Sequence, residues 1–243
     1  MDSSISSLSE AEHTRAHFRF FDLPTELRLK ILGMVLLTDQ TIDLEPLNYR
    51  RIAPRFMVFL TSRRMHQEAY SVFYGGHTFR IFPIHGRFFG NKIVPLVARL
   101  SPRYRAALLS LELRLGPGWS NPPKSWRVND LLGLEEMTAV RVIKVFIQCD
   151  PSHDVFKGYR VGKDFFTDFS GDLLGDMIDR LPALEEIQFD AWSSVSKGAP
   201  LMTRLLSEAR SDSKKISWGP ERGWDDDVER VIDEYESMYL TPQ

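Results

Sequence analysis

Apolar residues recur along this chain with two periods, and the change from one to the other divides it. Over residues 23–37 the spacing is helical. At 100° per residue Leu23, Leu27, Ile31, Met34 and Val35 form one apolar face, and Leu29, Leu32 and Leu36 form a stripe on nearly the opposite side. Asp22 is placed to cap this helix, Pro24 sits where a missing N–H costs nothing, and Glu26 meets the positive end of the dipole. One apolar face suffices for a helix on a soluble domain, so the second stripe needs cover from this chain or from a partner. A short strand is expected over 41–44, then a loop over 46–54 carrying Arg50 and Arg51, with Arg55 just beyond it. A second helix is expected over 56–74, with Val58, Met65, Ala69, Val72 and Phe73 on one face and Gly75-Gly76 ending it.

From residue 78 onward short runs of period two appear. Strands are predicted over 78–82, 109–115, 142–148, 186–190 and 215–218, alternating with helices over 90–100, 126–137, 165–181, 201–209 and 226–240. Strands recurring roughly every 30 to 40 residues predict repeating βα units and a parallel sheet. Leu111, Leu113, Leu115, Ile143, Val145, Ile147, Ile187, Phe189, Ile216 and Trp218 share one parity. The other parity is polar (Glu112, Arg114, Lys144, Gln148, Gln188, Asp190, Lys215, Ser217) except at Phe146. Strands covered on both faces would be apolar at both parities, so helices are expected on one face only. The fold class is therefore α/β: a helical N-terminal region, then an irregular βα-repeat parallel sheet laid out like a short leucine-rich-repeat solenoid. The expected divisions are a tail over 1–17, a helical region over 18–82 and a βα-repeat domain over 83–243, the last two packed as one unit.

Two segments carry a resemblance. Leu23-Pro24-x-Glu26-x-Arg28-x-x-Ile31 opens the first helix, and Glu68-Ala69-x-x-x-Phe73-Tyr74 ends the second, followed by Thr78-Phe79-x-Ile81. This arrangement resembles fungal F-box-like proteins over about the first third of the chain. It departs from that pattern at Ser62-Arg63-Arg64 and in the insert over 38–55. The resemblance implies a non-enzymatic interaction role. The first helix pair would dock the adaptor of a cullin-type ubiquitin ligase through Leu23, Pro24, Leu29, Leu32 and Leu36, and the remainder would hold a substrate protein. A scaffold without ligase association is the alternative, in which Leu29, Leu32 and Leu36 pack on the chain itself.

Composition narrows the rest. The 243 residues hold 43% hydrophobic and 26% charged residues with a formal net charge of −2, which favours a protein partner over nucleic acid or an anionic membrane. One cysteine, Cys149, rules out an internal disulfide and fits a reducing compartment. The N-terminal stretch has no apolar core of the signal-peptide kind and no window suits a transmembrane helix. A cytoplasmic or nuclear protein is expected.

No nucleophile elbow, phosphate-binding loop, dinucleotide fingerprint or zinc-helix motif is present. Catalytic, cofactor and metal sites are therefore expected to be none. Tryptophans gather near predicted strand ends, where parallel sheets bind ligands and where Trp anchors interfaces. Trp119, Trp126, Asp150, His153, Asp190 and Trp192 are the candidate partner-binding residues, with a small-molecule or enzyme site at the same place as a lesser alternative. The simpler expectation is that the tryptophans cap the core.

Overall fold

A computed structural model describes residues 18–84, 94–116 and 122–224. The sequence-predicted tail, the helix over 226–240, Trp119 and part of the helix over 90–100 lie outside these residues. At the centre is an all-parallel sheet of five strands: β1 (Thr78–Arg80), β2 (Ser110–Leu115), β3 (Val142–Ile147), β4 (Glu186–Ala191) and β5 (Lys215–Trp218). Their spatial order is their chain order. There is no reversal of strand order, and so no switch-point crevice of the doubly wound kind.

Register explains the apolar parity. Leu111, Ile143, Ile187 and Ile216 lie in one row across the sheet, and Leu113, Val145, Phe189 and Trp218 in the next. The first three residues of each row are fully buried. They share a core with Leu174 and Met177 of α5 (Phe165–Arg180) and Leu201, Met202 and Leu205 of α6 (Pro200–Ser211). Burying each such side chain contributes about 1.5–3 kcal/mol.

The N-terminal region contains α1 (Thr25–Leu36), α2 (Pro46–Ile52), a 3-10 stretch (Ala53–Leu60) and α3 (Arg63–Gly76). Ser62 caps α3 by accepting from the Met65 amide at 3.1 Å. From α3 the chain passes through His77 straight into β1. Phe73 and Tyr74 of α3 meet Phe79 of β1, and Tyr74 stacks at 4.7 Å on Tyr104 of α4 (Pro102–Arg105). Helical region and sheet thus share one continuous core.

Several expectations are corrected. Residues 46–52 form α2 rather than a loop, with Pro46 at the helix start, where proline is tolerated. Asp22 does not cap α1: it lies in a 3-10 turn (Phe20–Asp22), pairs with Arg19 at 3.2 Å, and Pro24 is the capping residue. The strand over 41–44 reduces to a single parallel bridge between Ile42 and Phe79. The helix over 126–137 is two 3-10 turns, Asp130–Leu132 and Leu134–Glu136. Gly133 breaks it with φ of 65°, a left-handed conformation that a side chain disfavours. The described end of the helix over 90–100 holds only the 3-10 turn Val97–Arg99.

Candidate functional site

Two surfaces bring together side chains that the fold leaves unsatisfied, and α1 forms the first. Its buried stripe is Arg28, Leu32 and Leu36, at 6%, 3% and 0% exposure. Arg28 is tolerated there because its guanidinium meets the Glu68 carboxylate in two parallel bonds, Nε to Oε2 at 2.8 Å and Nη2 to Oε1 at 2.9 Å. It also donates to the Leu23 carbonyl and to Thr25 Oγ1. The same pairing holds the Glu68 carboxyl below the usual carboxylate range and raises the Arg28 pKa.

With that stripe turned inward, Leu27, Ile31, Met34 and Val35 face out, at 48%, 36%, 72% and 42% exposure. The expected division of labour is thereby reversed for Leu32 and Leu36. Leu32 and Leu36 belong to the core and cannot offer a docking surface in this conformation, while Leu29 stands at the edge, 37% exposed. Leu23 is half-buried and Pro24 exposed. Arg55 donates to the Val35 carbonyl at 2.7 Å near the end of α1, and Arg64 pairs with Glu68 at 3.5 Å. Both arginines are thus engaged within the chain.

The second surface lies on the polar sheet face at the carboxyl ends of β1–β3. Arg80 of β1 is bracketed by two carboxylates, Asp43 and Glu112, the latter at 2.9 Å. Thr41 Oγ1 donates to Glu112 at 2.6 Å, and Asn48 of α2 donates to the Thr41 carbonyl at 2.6 Å. This network covers the β1–β2 end, so the polar face is not open along its whole width. Lys144 on β3 is exposed, and Gln188 and Ser217 farther along are partly so. Beside the network is a cleft of about 530 Å³, with Arg80, Arg114, Gln148, Asn48 and Arg51 among its walls. Gly116 belongs to this geometry, because a Cβ there would collide with the Gln148 side chain.

Arg114 separates the cleft from an aromatic pair. Its guanidinium lies 4.3 Å from the Phe146 ring centre and 5.9 Å from that of Trp192. Cation–π contacts of this kind are worth about 0.5–2 kcal/mol. Burial lowers the Arg114 pKa, an effect opposed by the field of Glu112, yet a guanidinium remains a cation at neutral pH. Its Nε is buried without a hydrogen-bond partner. Phe146, the one apolar residue at the polar parity, was the sequence signal for this place. The register setting Phe146 beside Arg114 was not legible.

The described members of the proposed partner-binding set do not form one site. Trp126 is a core side chain, 1% exposed, stacked on Phe82 at 5.5 Å and donating to the Pro83 carbonyl at 3.2 Å. Asp150 accepts from the Ser152 amide and hydroxyl at 2.9 and 2.7 Å, and His153 caps a 3-10 turn (Asp154–Phe156). Asp190 accepts from the amides of Glu221 and Arg222 at 3.0 and 2.8 Å and so fastens the turn after β5. Of these described residues, only Trp192, 45% exposed, lies at a surface beside Arg114 and Phe146. Among the described residues no group of three His, Cys, Asp or Glu could hold a metal ion, and no helix is long and apolar enough to cross a membrane. Compared with family models, curated proteins and solved structures, the chain matches none.

Proposed function

We propose that this chain is a non-enzymatic interaction module in which α1 docks one protein partner and the polar sheet face receives another. The observation that carries the reading is the outward apolar face of α1: Leu27, Ile31, Met34 and Val35 are exposed together while the opposite stripe is satisfied internally. A contiguous apolar helix face in water is a recognition surface for a helix-binding groove or helix pair. The adaptor of a cullin-type ubiquitin ligase is the partner implied by the F-box resemblance of this helix. The molecule would then act by proximity, one surface held by the ligase and the other holding its substrate.

One observation favours the scaffold alternative. Leu32 and Leu36, two of the residues first assigned to adaptor docking, pack inside the chain. In that reading α1 still docks a partner, but the partner is not the ligase adaptor.

Affinity purification of the tagged protein from its native cells separates the two. Adaptor and cullin captured by wild type, and lost on Ile31→Asp/Met34→Asp without loss of folding, support the ligase reading. Their absence from the wild-type capture overturns it in favour of the scaffold.

A further inference from the structure

The sheet-end cleft mixes both signs of charge: Arg51, Arg80 and Arg114 line it together with Asp43 and Glu45. Arg80 already faces Asp43 and Glu112, two carboxylates for one guanidinium. Arg114 and Arg51, also in the cleft wall, form no ion pair among the described residues. Arg114 is held in place by the Phe146 ring, its Nε buried and unpartnered, with exposed Trp192 edge-on to the same ring and 5.9 Å from the guanidinium. The Nε is out of reach of a ligand, so an acceptor in the cleft meets the Nη groups of this half-buried side chain. A single negative charge suits Arg114. A dianion would lie close to Asp43 and Glu112 and be repelled by both. The neighbouring rings suit an apolar or aromatic group on the same ligand.

We infer that this cleft binds an acidic linear segment of a protein partner. An Asp or Glu carboxylate is held by Arg114, and an adjacent aromatic side chain lies against Phe146 and Trp192. The inference rests on reading the sheet face as the second partner surface, but not on the identity of the partner bound by α1. Arg51 contributes field from the cleft wall rather than a fixed contact, because it is exposed. Binding weakens with salt, as expected for a partly exposed charge pair.

The test is a titration of the full chain, by two-dimensional NMR, with the capped peptide acetyl-Gly-Glu-Phe-Gly-amide. Its Gln and phosphoserine counterparts replace the Glu peptide in parallel arms. Arginine Nε–Hε and indole signals are followed, assigned with Arg114→Lys and Trp192→Phe. The expected result is saturable movement of the Arg114 and Trp192 signals with the Glu peptide. Affinity should fall about tenfold or more with the Gln peptide, the loss typical of one charge-assisted hydrogen bond. Arg114→Lys, which keeps the charge and removes the fork, should weaken the Glu peptide by a similar factor while the backbone spectrum stays native. Equal affinity for Glu and Gln peptides overturns the inference, as does an unmoved Arg114 signal at millimolar peptide. Tighter binding of the phosphoserine peptide overturns the choice of carboxylate over phosphate. The peptide titration and the α1 purification use separate surfaces, so failure of one leaves the other standing.

Discussion

Arg28 on α1 and Glu68 on α3 lie forty positions apart in sequence and form a bidentate ion pair, with side chains only 8% and 16% exposed. This contact lets the Arg28 side of α1 face inward. Arg28, Leu32 and Leu36 follow one another at intervals of four and therefore share a face. Neutralising the guanidinium lets that face be buried and sends Leu27, Ile31 and Met34 to the surface.

Removing Glu68 leaves the buried Arg28 without its counter-ion, and removing Arg28 leaves Glu68 only the longer contact to Arg64 at 3.5 Å. Arg28→Met or Glu68→Gln is expected to lower the midpoint of thermal unfolding by roughly 5 °C or more. Arg28→Met/Glu68→Leu should recover part of that loss, because an apolar pair leaves no orphaned charge. Circular dichroism melts of the three variants check this, and single variants that melt like wild type contradict it.

The strands were legible because alternation is local: Lys215–Trp218 is found where the pattern put it. The orientation of α1 was not, because a sequence pattern places Arg28 outside and cannot see Glu68 arriving from another helix. The helix at Pro46–Ile52 is short, begins with proline and carries Arg50 and Arg51, features shared with loops. Trp126 follows a turn-rich loop, which left it between a binding rim and the simpler expectation of a core cap. Its indole N–H finds a carbonyl forty-three residues earlier, a partner no local pattern reveals.

Protonation of the buried His77 and the half-buried Glu68 should each make stability depend on pH. His77 is 2% exposed; its Nδ1–H donates to the Phe73 carbonyl at 2.9 Å, and its Nε2 accepts from the Thr38 amide at 3.1 Å. Burial lowers its pKa, and Arg55 acts in the same direction. The unfolded chain then binds a proton that the folded chain refuses, so stability falls as pH drops below about 6.5, until the lowered pKa is reached. Glu68, held low chiefly by Arg28, adds a second loss as pH falls below its ordinary value of 4.5 toward its folded one. Chemical denaturation across pH should show both slopes. His77→Gln should flatten the upper one, and an unchanged upper slope contradicts the assignment.

Tyr74 lies between Phe79 and Tyr104, and burial pushes its phenol up to about 12. Ultraviolet titration should find one phenolate that appears well after the exposed tyrosines and is absent in Tyr74→Phe. Its appearance near pH 10 would contradict the stacked arrangement.

The tryptophans should separate by role. Trp126→Ala removes a buried ring and a hydrogen bond and is expected to cost about 3–5 kcal/mol. Trp192→Ala removes a half-exposed ring and should cost about 1 kcal/mol or less. Denaturant titrations check both values, and a reversed order contradicts their placement.

The most direct measurement of the central claim compares partner capture by Met34→Asp with capture by Met57→Asp. Both methionines are exposed, at 72% and 63%, but only Met34 lies on the outer face of α1. The protein that co-purifies with wild type should be lost from Met34→Asp and retained by Met57→Asp, with both variants folded. Equal capture by both would show that the outward face of α1 is not the docking surface.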